Sequence, residues 1–99
     1  IIGGMGFAGS ANINPSREFP SMFEPVHGSA PDIAGRGMAN PVAAVLSAAM
    51  MLEFLGEMEG ADKIRTAVKE HLADGKIRTP DRGGDSATSE VGDDIAGRL

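Results

Sequence analysis

Few side chains in this sequence could carry out catalysis or bind a metal by themselves. The 99 residues include two histidines, His27 and His71, and no cysteine, tyrosine or tryptophan. The lack of cysteine excludes a disulfide scaffold, a thiolate zinc site and a cysteine nucleophile, and two histidines are too few for a His-rich metal site. The sequence also contains no Walker loop, no H-E-x-x-H motif and no Ser/His/Asp constellation. These classes of site are therefore excluded.

The two histidines and the paired aspartates near the end have ordinary structural explanations. His27 lies between a predicted strand and a glycine-containing loop, where we favour a structural role over a ligand role for a lone histidine. We expect His71 to be solvated or half-buried on the second predicted helix. Asp93 and Asp94 are expected to lie on the solvated side of the last helix.

A glycine-rich segment at residues 4–9, GMGFAG, fits the pattern G-x-G-x-x-G. That pattern binds dinucleotides only when a strand precedes it and a helix follows it. Here only residues 1–3 precede the segment, and residues 11–15 have no helical character. A flexible glycine turn is therefore favoured over a Rossmann loop.

Composition narrows the class of protein further. The formal net charge is −5, which argues against nucleic-acid binding because that requires clustered lysine and arginine. The longest apolar run, residues 42–52, is too short to cross a bilayer, and the first residues do not form a signal peptide. A hydrophobic content of 41% supports a core of about one small domain. We expect a cytoplasmic protein without membrane contact, and an opening with Ile1 suggests a fragment.

Glycine and proline divide the chain into an irregular first part and a helical second part. Residues 1–40 are predicted to form loops with short strands, with one buried strand over residues 21–26 that ends at Pro25. Residues 27–40 are predicted to form a long shaped loop, and loops of that length are usually functional.

Three helices are predicted, over about residues 41–55, 59–74 and 89–99. Asn40 is a suitable N-cap for the first, Gly56 and Gly75 end the first and second, and Thr88 is expected to cap the third. The first helix is apolar on all sides, so it must be buried on all sides. Without partners it would expose a stripe, which we place at Val42, Leu46, Met50 and Phe54.

Residues 23–41, FEPVHGSAPDIAGRGMANP, resemble the adenosine-binding loop of the β-decarboxylating dehydrogenases. That family includes 3-isopropylmalate, isocitrate, homoisocitrate, tartrate and D-malate dehydrogenases. Residues 4–12, 47–52 and 79–84 fit the same family. The resemblance covers the whole chain but only the C-terminal part of a family subunit. It implies an α/β chain with the C-terminal part of the isopropylmalate dehydrogenase-like fold, in which loops and short strands precede three helices.

The resemblance implies that this loop binds NAD. Its implied cofactor-binding residues are Glu24, His27, Gly28, Ser29, Ala30, Asp32, Ile33 and Asn40. In the family, the position of His27 packs on the adenine, that of Ile33 forms an apolar wall and that of Asn40 bonds the adenine edge. Asp32 would accept hydrogen bonds from the ribose and repel a 2′-phosphate, because NADP-using relatives have Lys-Tyr in place of Asp32-Ile33. The positions of Gly28, Ser29 and Ala30 let the backbone approach the nucleotide, and Glu24 would lie toward the nicotinamide.

The same resemblance places the catalytic tyrosine and lysine, the substrate-binding arginines and the aspartates that bind Mg²⁺ or Mn²⁺ upstream of this chain. The chain would therefore hold no catalytic residue and no metal ligand, and it would be inactive without the N-terminal part of its subunit. The complete subunit is expected to form a homodimer and to oxidise and decarboxylate a small 2-hydroxy acid. Residues 12–23 resemble the tartrate/D-malate branch, whereas residues 43–52 resemble the 3-isopropylmalate dehydrogenases of leucine biosynthesis. A non-catalytic nucleotide-binding remnant is the alternative from another class.

Overall fold

The computed structural model describes residues 9–18, 20–25 and 30–99. Two short strands, β1 (Gly9–Asn12) and β2 (Met22–Pro25), precede three helices, α1 (Val42–Phe54), α2 (Met58–Asp74) and α3 (Thr88–Gly97). A single 3₁₀ turn, Pro80–Arg82, lies between α2 and α3. This order confirms the mixed α/β fold expected from the sequence, and the helix ends differ from the predicted ends by one or two residues, as is usual for frayed termini.

The strands β1 and β2 form an antiparallel pair in which Gly9 lies opposite Pro25 and Asn12 opposite Met22. The prediction of a buried strand here was wrong, because burial alternates along β2: Met22 is exposed and Phe23 is half-buried. One face of the pair packs against α1, and a Cβ on Gly9 would lie 2.9 Å from the Ser47 hydroxyl. Alternation is the usual pattern of an antiparallel pair with only one covered face.

The end of α1 is joined to the turn that follows β1. Arg17 donates a hydrogen bond from Nη2 to the Phe54 carbonyl oxygen at 2.6 Å, and its guanidinium lies 4.5 Å from the centre of the Phe54 ring. Phe54 also contacts Phe23, with the two ring centres 5.8 Å apart. A cation at the carbonyl end of a helix is favourable because that end carries partial negative charge. These contacts hold the strand pair on α1.

The end of α1 follows the prediction, whereas its beginning is displaced by one residue, with Pro41 in the N-cap position predicted for Asn40. The Asn40 side chain accepts a hydrogen bond from the Val42 amide through Oδ1 at 3.0 Å, which satisfies one of the free donors at the helix N-terminus. At the other end, Gly56 has a φ of +87°, the left-handed conformation that glycine adopts without strain. Local sequence therefore determines where α1 begins and ends.

The stripe of α1 predicted to be exposed was assigned to the wrong face. Val42 is fully buried, and it forms the common core with residues of α2 and α3, namely Ala67, Val68, Val91 and Ile95. Leu46, Met50 and Phe54 are half-buried rather than exposed. The exposed large side chains near the end of α1 are instead Met51 at 39% and Leu55 at 53%, followed by Met58 at 49%. In a helix that is apolar all round, periodicity cannot indicate which face meets the core.

Helix α3 begins differently from the prediction. Ala87 occupies the N-cap position, and its amide donates a hydrogen bond to the Glu90 carboxylate at 2.9 Å. Thr88 does not cap the helix, because its hydroxyl donates to the Ala39 carbonyl oxygen at 2.5 Å. The Glu90 carboxylate lies favourably at the positive end of α3, and Thr88 forms a long-range contact instead of a cap.

His71 is buried, with 1% of its surface exposed, so the expectation of a solvated or half-buried side chain was wrong. Its Nδ1 lies 2.6 Å from Asp94 Oδ2, which requires the imidazole to donate from Nδ1 because an ionised carboxylate can only accept. Arg98 also donates to Asp94, from Nε at 3.0 Å, and to Asp74, from Nη2 at 2.7 Å. These four residues form the α2–α3 polar network.

The α2–α3 polar network shifts the pKa values of Asp94 and Arg98. The hydrogen bond from His71, followed by that from Arg98, lowers the pKa of Asp94 below its ordinary value. The hydrogen bonds to Asp94 and Asp74 raise the pKa of Arg98. The expectation that Asp94 only faces solvent was therefore wrong, whereas its neighbour Asp93 is exposed as predicted. Opposite charges across α2 and α3 hold the two helices together at this end.

Candidate functional site

Consecutive turns at residues 30–37 form the described part of the predicted adenosine loop, residues 23–41. The Ile33 amide donates to the Ala30 carbonyl oxygen, and the Arg36 amide donates to the Ile33 carbonyl oxygen, each at 3.1 Å. Gly35 and Gly37 have φ values of +77° and +65°, which side chains other than that of glycine rarely tolerate. The chain can therefore reverse direction twice before it enters α1.

The turns expose a carboxylate beside a partly buried apolar side chain. Asp32 is exposed, and among the described residues its carboxylate forms no ion pair; Ile33 is half-buried. Ala30 is exposed and has a φ of +44°. An exposed carboxylate can accept hydrogen bonds from a vicinal diol, and an apolar side chain beside it can contact a flat ring.

Asn40 uses both atoms of its side-chain amide within the protein. Oδ1 accepts from the Val42 amide at 3.0 Å, and Nδ2 donates to Asp81 Oδ2 at 3.0 Å. Asp81 in turn accepts from the Thr79 hydroxyl at 2.5 Å through its other oxygen. The structure thus connects the end of the adenosine loop both to α1 and to the turn after α2.

Residues 78–88, which we call the clamp segment, contact the adenosine loop at three points. Besides the bond between Asp81 and Asn40, the Thr88 amide donates to the Gly37 carbonyl oxygen at 2.9 Å and the Thr88 hydroxyl donates to that of Ala39. Neither Asp81 nor Thr88 was assigned a role in the loop from the sequence. The only signal was the Thr-Pro-Asp-x-Gly-Gly string at residues 79–84, which fits a tight turn that presents an acidic side chain.

Some of the remaining predicted site residues lie outside the described part of the chain, and one lies on β2. His27, Gly28 and Ser29 lie outside the described residues, so their predicted roles remain predictions. Glu24 lies on β2 with an exposed side chain, and its carbonyl oxygen accepts from the Ser10 hydroxyl at 3.0 Å. The structure therefore brings Asp32, Ile33 and Asn40 into one continuous loop, which a strand precedes and a helix follows.

The donor set of the loop fits an adenosine group. Asp32 provides the acceptor that a ribose diol requires, and Ile33 provides apolar surface for a base. Over residues 9–18, 20–25 and 30–99, no group of three or more His, Cys, Asp or Glu side chains could hold a metal ion. No helix in the same ranges is both long and apolar enough to span a membrane.

Comparisons with known proteins agree with this arrangement. A family model described as isocitrate/isopropylmalate dehydrogenase matches residues 1–95. A probable tartrate dehydrogenase/decarboxylase of Bacillus subtilis is 54% identical over all of this chain and 28% of its own length. A homoisocitrate dehydrogenase of Methanocaldococcus jannaschii is 56% identical over 96% of this chain and 26% of its own length. A 3-isopropylmalate dehydrogenase of Thermobifida fusca is 52% identical over all of this chain and 27% of its own length.

Solved structures of similar proteins have the same fold over this length. The isocitrate dehydrogenase of Methylococcus capsulatus matches 98% of this chain and 28% of its own chain, with a TM-score of 0.89 and 45% identity. The TT0538 protein of Thermus thermophilus matches 98% of this chain and 20% of its own chain, with a TM-score of 0.89 and 43% identity. The chain thus spans between 26% and 28% of the three curated relatives described above.

Proposed function

Because this chain belongs to the isocitrate/isopropylmalate dehydrogenase family, we propose that it supplies the adenosine-binding part of a longer NAD-dependent subunit. That subunit oxidises a 2-hydroxy acid and decarboxylates the product. The single observation that carries the proposal is the turn pair at residues 30–37, which presents Asp32 and Ile33 and ends at Asn40, the cap of α1. The chain by itself is expected to have no dehydrogenase activity.

The proposed roles follow from the chemistry of each side chain. Asp32 accepts hydrogen bonds from the adenosine ribose, and its charge repels the 2′-phosphate of NADP. Ile33 contacts the adenine, and Asn40 hydrogen-bonds the adenine edge. His27, Gly28, Ser29 and Ala30 complete the adenosine site, and Glu24 lies toward the nicotinamide. When bound, NAD accepts the hydride, which is chemistry that no side chain of this chain supplies.

Two observations support a longer subunit. The curated relatives are several times longer than this chain, and apolar side chains are exposed around the end of α1 and the start of α2, namely Met51, Leu55 and Met58. An exposed cluster of that kind usually marks an interaction surface. We propose that the rest of the subunit covers it and carries the substrate-binding arginines, the catalytic tyrosine and lysine, and the ligands for Mg²⁺ or Mn²⁺. The complete subunit is proposed to be a cytoplasmic homodimer that binds neither nucleic acid nor membrane.

The preferred substrate is of the tartrate/D-malate type, with 3-isopropylmalate as the second candidate. Relatives of both kinds are about equally similar to this chain: 54% identity for the Bacillus subtilis protein and 52% for that of Thermobifida fusca. Turnover of tartrate or D-malate with a kcat/KM at least about tenfold above that of 3-isopropylmalate would support the first candidate. A folded complete subunit that binds NAD but turns over none of these acids would support a non-catalytic remnant.

The cofactor preference tests the proposed function directly. In the complete subunit we expect kcat/KM to be higher with NAD than with NADP. Replacing Asp32 by Lys and Ile33 by Tyr should shift the ratio toward NADP by roughly a hundredfold, because a repulsive charge is removed and a charge-assisted hydrogen bond to the phosphate is gained. Asp62→Lys, the same charge change at an exposed position of α2, serves as the control. Equal kinetics with both cofactors in the unmodified subunit would contradict the assignment.

A further inference from the structure

Internal hydrogen bonds hold the clamp segment, residues 78–88, in one conformation, so the segment can position the adenosine loop. The Ser86 amide donates to the Arg78 carbonyl oxygen at 2.9 Å, and the Arg78 amide donates to the Ser86 hydroxyl at 3.2 Å, which closes the segment into a loop. Thr79 is 1% exposed. A Cβ on Gly84 would overlap the Arg78 carbonyl group, so only glycine allows this close return of the chain.

The hydrogen bond between Asp81 and Asn40 fixes which atom of the Asn40 amide faces the clamp segment. The Asp81 carboxylate can only accept, so Nδ2 of Asn40 must point toward it and Oδ1 must point toward the Val42 amide. Hydrogen bonds to charged groups are stronger than those between neutral groups. A single carboxylate thus determines the orientation of the Asn40 amide and, through it, the junction between the loop and α1.

We propose that Asp81 is a positioning residue for cofactor binding, which holds Asn40 and thereby keeps the adenosine loop in its binding conformation. The proposal rests on the proposed function, because it assigns Asp81 to the same adenosine site. Asp81 acts through Asn40 and does not contact the cofactor. The two residues are 41 positions apart in the chain, and the hydrogen bond between them is what gives the clamp segment this role.

The effect on binding follows from the population of the binding conformation. When only a fraction of the molecules have a competent loop, the apparent Kd rises by the inverse of that fraction. Without the bond from Asn40 to Asp81, the end of the loop keeps the hydrogen bonds that Thr88 donates to Gly37 and Ala39. If the competent fraction falls to about a tenth, the Kd for NAD rises about tenfold, with little change in kcat.

An exchange of the two side chains separates positioning from direct contact. In the complete subunit, Asn40→Asp keeps the cap on Val42 but places two carboxylates face to face, so we expect the Kd for NAD to rise about tenfold or more. Asp81→Ala should raise the Kd to a similar extent. The double variant Asn40→Asp/Asp81→Asn restores a donor opposite an acceptor with the original net charge, so the Kd should fall below that of Asn40→Asp, but it should not reach the original value because residue 40 is also assigned to the adenine edge.

Three measurements are made on each variant: the Kd for NAD by titration calorimetry, kcat, and the rate of tryptic cleavage after Arg36 without cofactor. Arg36 is exposed within the turns, so cleavage there reports how often the loop opens. We expect cleavage to accelerate in Asn40→Asp and Asp81→Ala and to return to the original rate in the double variant. Asp85→Ala removes a charge from an exposed position of the same segment and should alter none of the three.

The outcomes separate this inference from the proposed function. If the unmodified subunit does not bind NAD, the proposed function is refuted. If the variants still show the expected pattern of cleavage in that case, Asp81 nevertheless positions the loop. Normal NAD binding by Asp81→Ala would overturn the positioning role. So would a double variant that is cleaved after Arg36 as fast as Asn40→Asp, because the hydrogen bond between residues 40 and 81 would then not hold the loop.

Discussion

The C-terminal half of α1 and the junction of α2 with α3 differ in the kind of side chain at their surfaces. At the junction, the α2–α3 polar network pairs opposite charges carried by the two helices. At the end of α1, Met51 and Leu55 are exposed apolar side chains. Exposed apolar surface is stabilised when other apolar surface covers it and removes it from water. The difference supports the proposal that the rest of the subunit covers the end of α1.

The largest expected effect concerns the exposed end of α1. Uncovered apolar surface costs about 25 cal/mol per Å², which for a helix face amounts to several kcal/mol against a typical domain stability of about 5–15 kcal/mol. We therefore expect the 99-residue chain alone to associate or to lack a cooperative melt. Light scattering after size-exclusion chromatography, together with calorimetry, measures this. A monodisperse monomer with a sharp melt would contradict it.

Charged substitutions on the same face test whether its apolar surface causes the association. Met51→Glu, Leu55→Lys and Met58→Glu together should raise the concentration at which the chain alone associates by about tenfold or more. The same triple change should lower the yield of the complete subunit, where we propose that the face is covered. Thr66→Glu and Ala73→Lys on exposed positions of α2 provide the control and should have neither effect.

The next effect concerns the polar junction. Asp94→Ala leaves Nδ1 of the buried His71 without its partner, which should cost about 1–3 kcal/mol and lower the Tm of the complete subunit. Asp93→Ala removes the same charge from the adjacent exposed position, and its effect should stay within about 0.5 kcal/mol. Equal losses in the two variants would show that net charge, and not the network, stabilises this end.

A smaller effect should appear as a dependence of stability on pH. The pKa of Asp94 is lowered from 3.8 in the folded protein, so the unfolded chain binds the proton more readily. The stabilisation is therefore fully present above the unfolded value and is lost as the pH falls through the lower folded pKa. Melting curves between about pH 6 and about pH 2 should fall more steeply for the original protein than for Asp94→Ala. Parallel curves would contradict this linkage.

The smallest effect is expected at the surface of α2. Lys63 and Glu59 form an i,i+4 ion pair at 3.7 Å, but their side chains are 64% and 88% exposed. Water screens such a pair, so Lys63→Ala should change the free energy of unfolding by no more than about 0.5 kcal/mol. A loss comparable to that of Asp94→Ala would show that exposed and partly buried pairs contribute alike here.

Local sequence was sufficient to indicate the three helices to within two residues, the strand at residues 22–25 and the family. Asn40 and Gly56 set the limits of α1 because a cap or a positive φ acts over only a few residues. The string at residues 23–41 indicated the family for a similar reason, since its order is continuous in the chain.

Tertiary structure alone decided which side chains are covered and which distant residues meet. The burial of His71 depends on the presence of Asp94 on another helix, and the hold of Asp81 on Asn40 joins segments 41 residues apart. The exposed face of α1 was likewise settled by where α2, α3 and the strand pair lie. Hydrophobic periodicity describes one element at a time, whereas burial and long-range hydrogen bonds are properties of two elements in contact.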